Sequence, residues 1–372
     1  MKFRSERDSL VEALSTAGRA VGSRGTSSPV LSGLLLRCAG NRLTATGTDL
    51  DLTIRVQQEV IGIDDGTCVV PARLTADIVR SLEPGAVTLE GNEEKVEITA
   101  ARSHFGLRAF PAVEFPAVSQ DVGGGVELRA QILAEGLRQV VRAASNDDAR
   151  PLLTGVLLTN FEGDVRLVAT DSYRLALRDL EGTKGAAPDE DVLVPARALA
   201  ELQRLPAPPA GEGDQVPMVE VAVGPHEITF VRGPVRISTR LLDGTYPDYR
   251  QLIPDHYPNV LHLGKESLVS ALRRVRLLVR DNTTPVRLAM RQGGVDLTVV
   301  SNEVGDASET VDGDFTGDEL VIAFNPSYLI DGVEAVVGDE VVIETADASR
   351  PATVRGAEDD HYRYLLMPVR VS

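Results

Sequence analysis

The sequence predicts an α+β fold built from three copies of one unit, each copy two helices packed on antiparallel strands. Three observations carry that expectation. First, VVPARLTADIVRSL at 69–82 returns as VLVPARALAELQRL at 192–205, an apolar strand, Pro-Ala-Arg and a helix, with 124 residues from Pro71 to Pro195. Second, PVLSGLLLR (29–37) returns as PLLTGVLLT (151–159), and TATGTDL (44–50) as LVATDSYRL (167–175), both shifted by 122. Third, one apolar stripe with steps of 4, 3 and 4 occurs three times: Leu10, Leu14, Ala17, Val21; then Leu133, Leu137, Val140, Ala144; then Leu268, Leu272, Val275, Val279. Those steps mark one buried face of an amphipathic helix.

Copy one opens with this helix, and Ser9 with Glu12 has the pattern of a capping box. Period-two alternation follows in each copy, as in Val96, Ile98, Ala100, in Val165, Leu167, Ala169 and in Val295, Leu297, Val299. Turns fall at GNEE (91–94), FEGD (161–164) and QGG (292–294). In the third, more divergent copy PVRLAMR starts at Pro285, VVSNEV (299–304) holds the Thr-Asp position and LVIAFNPSYLIDGV (320–333) replaces VPAR and its helix. Gly, Pro and Asp cluster at VSQDVGGGV (118–126) and DGTYPDYRQLIPDHYPN (243–259), which places subdomains at 1–121, 126–243 and 244–372. PAPPAGEGDQVP (206–217) is a Pro-rich loop within the second copy.

The 372 residues suffice for several cores, and 43% hydrophobic residues exclude a disordered chain. No apolar run is long enough for a membrane span, and MKFRSERDSL has no signal-peptide core, so a cytoplasmic protein is expected. Cys38 and Cys68 stand alone in strand-like text and read as buried thiols, with neither a disulfide framework nor a zinc site. None of the five histidines forms HExxH, and GxSxG, a Walker loop and the Rossmann glycines are absent, so neither an enzyme nor a cofactor or metal is indicated.

A net charge of −17 by itself argues against wrapping a polyanion, so placement decides. Arg73 and Arg80 are seven apart on one helix and Arg197 and Arg204 repeat that spacing; Arg138 with Arg142, and Arg273, Arg276 and Arg280, form further stripes. Acids crowd turns such as IDDGT (63–67) and GAEDDH (356–361). Two readings of the arginine faces stand: phosphate contact, or solvated surface neutralised by Asp77 and Glu201. Arg24, between glycines in GSRGTSS, is a further phosphate candidate or a plain loop residue. With 4% aromatics, base stacking on single strands is not expected.

The order MKF, ATDSYRLAL (169–177), VPAR-helix, LLDGTYPDYRQLIP (241–254), AFNPSYL (323–329) and YLLMPVR (364–370) resembles the bacterial sliding clamp family, the beta subunit of DNA polymerase III, with wording nearest to actinobacterial members. That resemblance implies three DNA-clamp subdomains, a head-to-tail homodimer closed into a ring around duplex DNA without sequence readout, and no catalysis. It implies as partners the DNA polymerase III catalytic subunit, the clamp loader, and replication and repair proteins carrying a peptide with Gln and a terminal Leu-Phe. Leu153, Thr170, Ser172, Tyr173, Arg174 and Leu175 then align with one part of the partner-peptide pocket, and Pro247, Leu252, Met367, Pro368, Val369 and Arg370 with the rest. Judged as a bare pattern, the Thr170–Ser172 segment reads first as a hairpin-edge turn. Gln251, where an arginine is frequent in the family, and Val371 and Ser372 after Arg370 depart from the pattern and leave the peptide preference open. Arg102, Phe105 and Leu107, with Leu277 and Leu278 opposite, align with the dimer interface; their apolar members could equally be internal core. A clamp-like scaffold that binds peptides without encircling DNA is the alternative.

Overall fold

The computed structural model describes residues 1–22, 28–118, 124–205, 216–254, 256–280, 284–301 and 303–370. Helices come in pairs: α1 (Arg7–Ala17) and α2 (Ala72–Ser81), α3 (Ala130–Val140) and α4 (Ala196–Gln203), α5 (Lys265–Val275) and α6 (Pro326–Ala335). The first helix of each pair has 11 residues and tightens into a three-residue 3-10 turn, at Gly18–Ala20, Val141–Ala143 and Arg276–Leu278. The α-helical members of each stripe are buried as expected, while Val21, Ala144 and Val279 lie past the α-helical part and Val21 and Val279 are only half-buried. Ser9 and Glu12 do not form the expected capping box: α1 begins at Arg7 after Glu6, with no side-chain cap, so Ser9 is already inside it. In α6 the sequence specifies a start clearly. There the Asn325 side chain accepts from the N–H groups of Ser327 and Tyr328, with Pro326 in the first helical position.

By internal contacts the chain divides into two compact units, and the middle repeat contributes to both. Met1–Ala130 with Arg204–Leu241 contains two antiparallel sheets. The five-stranded one runs Ile61–Asp64, Lys2–Glu6, Ala86–Gly91, Lys95–Ala100, Ser103–Arg108, so Ser103–Arg108 is an edge. The eight-stranded one joins copy one to copy two where Leu52–Glu59 pairs with Val235–Arg240. Gln131–Gln203 with Leu242–Ser372 contains a twelve-stranded antiparallel sheet, whose copies two and three meet where Arg174–Leu180 pairs with Tyr362–Leu366.

Period-two strands bury one face fully: Val165, Leu167 and Ala169 are at most 2% exposed, and Val295, Leu297 and Val299 are at 0%. The FEGD hairpin turns through Glu162 and Gly163, both at positive φ, as a two-residue hairpin loop requires. Cys38 and Cys68 are buried free thiols. No described helix is long and apolar enough to cross a membrane. Parts of the two expected boundary segments and of the Pro-rich loop (119–123, 206–215 and 255) lie outside the described residues.

Candidate functional site

The segment Thr170–Arg174 links two sheet strands by a turn that its own side chains build. Thr170 Oγ1 donates to Arg174 O (2.6 Å) and accepts from Ser172 N (3.1 Å), while Asp171 Oδ1 accepts from the N–H groups of Tyr173 (2.9 Å) and Arg174 (3.0 Å). Ser172 sits at φ +79°, a strained position for a residue with a Cβ, and the next residue, Tyr173, is 60% exposed. Arg150, which sequence reasoning missed, supports the turn from outside by donating to Ser172 Oγ and Asp171 O.

Beneath the turn lies an apolar floor of Leu157, Val168, Leu175, Leu177, Leu193, Tyr249 and Leu365, flanked by half-buried Leu152, Leu242, Tyr246 and Ile253. Leu175, at 2% exposed, is thus floor rather than wall, because its strand direction turns it into the sheet face. Met367 N donates to Tyr173 O (2.9 Å), which sets the C-terminal segment beside the turn, and Val369 N donates to Ala323 O (2.7 Å). Met367 and Leu252 stay 43% and 48% exposed, Pro247 is exposed, and Leu153, Pro368 and Val369 are half-buried. Gly244 allows the segment carrying Pro247 to close on Leu152: its φ is +141° and a Cβ there would lie 2.7 Å from Leu152 Cδ2. Gln251 donates to Asp248 at 2.7 Å, and Arg370 is exposed.

Arg174 does not point to the pocket surface. Its side chain is 9% exposed, donating from Nε to Asp171 Oδ2 (3.0 Å) and from Nη1 to Asp331 Oδ2 (2.6 Å), with the Tyr328 ring 4.2 Å away. Its charge serves to anchor the turn on α6 through these two carboxylates. The network continues through acids that sequence reasoning missed: Asp331 lies 3.7 Å from Arg142, and Glu334 binds both Arg142 (3.2 Å) and Arg273 (2.7 Å). Partial burial pushes the Glu334 carboxyl up, but hydrogen bonds from Arg273 and Arg142 outweigh it and hold the group below its ordinary value.

The arginines expected at phosphates are mostly engaged. Arg138 donates to Glu334 O and Ala335 O, carbonyls at the C-terminus of α6, so it caps a helix end. Arg73 and Arg80 share Asp77, at 3.7 and 2.7 Å. Arg142 and Arg276 sit in 3-10 turns, and Arg204 lies one residue past α4, so the expected continuous helical stripes are broken. Arg197, Arg204 and Arg276 are exposed, and Arg24 lies outside the described residues. Among the described residues no group of His, Cys, Asp and Glu is arranged to hold a metal ion.

Of the residues aligned with an interface, Arg102 is exposed, and Phe105 and Leu107 are half-buried on the edge strand Ser103–Arg108, which among the described residues pairs only with Lys95–Ala100. Leu277 is 79% exposed and Leu278 half-buried, so neither set is closed core. In Gly305–Thr316, residues 313–316 pair on one side with Asn259–Gly264, while among the described residues 305–312 pair only with Gly294–Ser301, leaving a second open edge.

Repeated helix-pair units, strand pairing from one repeat to the next and a side-chain-built turn over an apolar floor at such a junction define a DNA-clamp architecture. Comparison with known proteins names the family. Residues 1–119, 127–248 and 250–370 match the N-terminal, central and C-terminal domains of the DNA polymerase III beta subunit. The chain is 36% identical over 383 residues to the beta sliding clamp of Streptomyces coelicolor, covering all of both chains. It is similar to the solved sliding clamp of Bacillus subtilis, at 29% identity and TM-score 0.90 over all of both chains. The Caulobacter crescentus clamp structure matches at 32% and TM-score 0.90, covering all of this chain and 99% of that one. The chain belongs to the bacterial beta sliding clamp family, with an actinobacterial member among its relatives.

Proposed function

We infer that the chain is a DNA sliding clamp, a processivity factor that encircles duplex DNA and tethers the replicative polymerase through its peptide pocket, acting in the cytoplasm and catalysing nothing. One observation carries the ring. Repeat one joins repeat two by pairing Leu52–Glu59 with Val235–Arg240, and repeat two joins repeat three by pairing Arg174–Leu180 with Tyr362–Leu366. Among the sheet edges left open are Ser103–Arg108 in repeat one and residues 305–312 in repeat three, which lie in the first and last repeats of the chain. Two chains head to tail satisfy both edges twice, and three repeats each make six. Subdomains with boundaries at 1–121, 126–243 and 244–372 are the repeating units.

DNA contact falls to Arg73, Arg80, Arg142, Arg197, Arg204, Arg273 and Arg276, with Arg24 a loop contact and Arg138 holding α6 in place. Most are paired to acids, and exposed pairs hold by only about 0–1 kcal/mol, so phosphates can exchange with Asp77 or Glu334 at little cost. Weak, exchangeable contact without base readout is what sliding needs. The pocket takes a peptide with Gln and a terminal Leu-Phe from the polymerase catalytic subunit, the clamp loader and other replication and repair proteins. Burying the Leu and Phe between Tyr173, Leu252 and Met367 contributes about 3–6 kcal/mol in total.

Sedimentation tests the ring: about twice the 39.8 kDa chain mass is expected for the parent, and monomers for Phe105→Asp with Leu107→Asp or for Leu277→Asp. A parent that stays monomeric at micromolar concentration, or that leaves nicked circular and linear DNA equally fast after loading, would favour the peptide-binding scaffold instead.

A further inference from the structure

The turn that frames the partner pocket occurs a second time. Thr48 Oγ1 donates to Leu52 O (3.1 Å) and accepts from Leu50 N (3.1 Å), and Asp49 Oδ1 accepts from the N–H groups of Asp51 (3.2 Å) and Leu52 (2.8 Å). Leu50 holds φ +84° where Ser172 holds +79°. The strand that follows pairs Thr53 with Ser238, as Leu175 pairs with Leu365. Counting two residues on, Arg240 takes the place of Met367, and Phe115-Pro116 takes the place of Tyr246-Pro247. A cavity of about 450 Å³ opens at this place, lined among others by Thr48, Leu50, Pro116, Pro225, His226 and Arg240.

We propose that this cavity is a second peptide site, taking an extended segment that carries an apolar side chain next to a carboxylate. Two features point to such an occupant. Leu50 is 56% exposed at a left-handed φ, which for leucine is strained; the turn needs only the φ, which glycine or asparagine would supply without cost, so folding gives no reason for the leucine. Arg240 is exposed and has no side-chain partner among the described residues, although Glu227 is its cross-strand neighbour and lines the same cavity. A ligand carboxylate satisfies that guanidinium with a charge-assisted hydrogen bond. Where the first pocket has Ser172, Arg174 and Met367, this one has Leu50, Leu52 and Arg240, so the two sites prefer different peptides.

The proposal rests on the peptide reading of the first pocket, and the test separates the two. The probe is the peptide Gln-Leu-Asp-Leu-Phe, which carries both the Gln and terminal Leu-Phe of the first pocket and a leucine next to a carboxylate, titrated into the full-length dimer by native mass spectrometry and calorimetry. Two peptides per chain are expected for the parent, and one for the first-pocket variant Leu252→Asp with Met367→Asp. In that variant background, Arg240→Glu and Leu50→Gly should each weaken the remaining site at least about tenfold, or about 1.4 kcal/mol. Leu50→Gly relieves backbone strain, so a loss of binding there does not come from unfolding. No binding to the first-pocket variant, or binding indifferent to both Arg240→Glu and Leu50→Gly, overturns the second site; two peptides still bound to the first-pocket variant would instead overturn the first.

Discussion

Replacing Arg174 by methionine isolates the ion network beneath the first pocket, because methionine keeps most of the aliphatic bulk and removes the charge. The side chains of Arg174, Asp171 and Asp331 are 9%, 10% and 33% exposed. Deleting one partner of a buried pair costs about 3–5 kcal/mol when the other is stranded. Here neither carboxylate is wholly stranded: Asp171 keeps two backbone N–H donors, and Asp331 keeps Arg142 at 3.7 Å and a third of its surface in water. The expected loss is therefore about 2–3 kcal/mol. For a unit of about 200 residues, each kcal/mol moves Tm by about 2–4 °C, which gives a fall of about 4–12 °C in the melt of that unit. Circular dichroism melts with guanidinium curves measure it, and a cycle with Asp331→Leu should give a coupling of about 1–2 kcal/mol. A Tm within about 1 °C of the parent, with zero coupling, would refute the claim that this network anchors the turn.

Two further outcomes are expected. Burial pushes the Cys68 thiol up to about 12, and burial with nearby Asp65 raises Cys38, so neither should react with iodoacetamide at pH 8 in the native protein, while both react after denaturation; rapid native labelling would contradict the packing. The Glu334 carboxyl is depressed in the folded state, so its pairing with Arg273 and Arg142 stabilises the fold fully above the ordinary value of 4.5 and ceases to do so as pH falls through the depressed one. The stability gap between the parent and Glu334→Gln, measured by denaturant unfolding, should shrink on acidification below 4.5, and a gap that grows would reverse the assignment.

The repeat was legible in the chain because burial imposes a period: any helix lying on a sheet must return an apolar residue every three or four positions, and any half-buried strand every second one. Those patterns at Leu10, Leu133 and Leu268, and the phrases around Thr170 and Met367, determined the fold class, the helix pairs and one wall of the pocket. Element ends were less legible, since a stripe does not distinguish an α-helix from the 3-10 turn that continues it, and α1 starts without any capping side chain. Arginine spacing was misleading for a related reason: sequence gives the face on which a charge sits but not its neighbours from other elements. Only tertiary structure brought Glu334 and Asp331, about 190 residues away in sequence, to Arg142, and turned Arg138 to the end of α6. It alone decided that Arg174 pairs with Asp171 and Asp331, that Arg150 and Leu152 lie against the turn and its floor, and that strands from successive repeats share a sheet. The physical reason is that strand pairing and ion pairing depend on distance in space, whereas a sequence records distance along the chain.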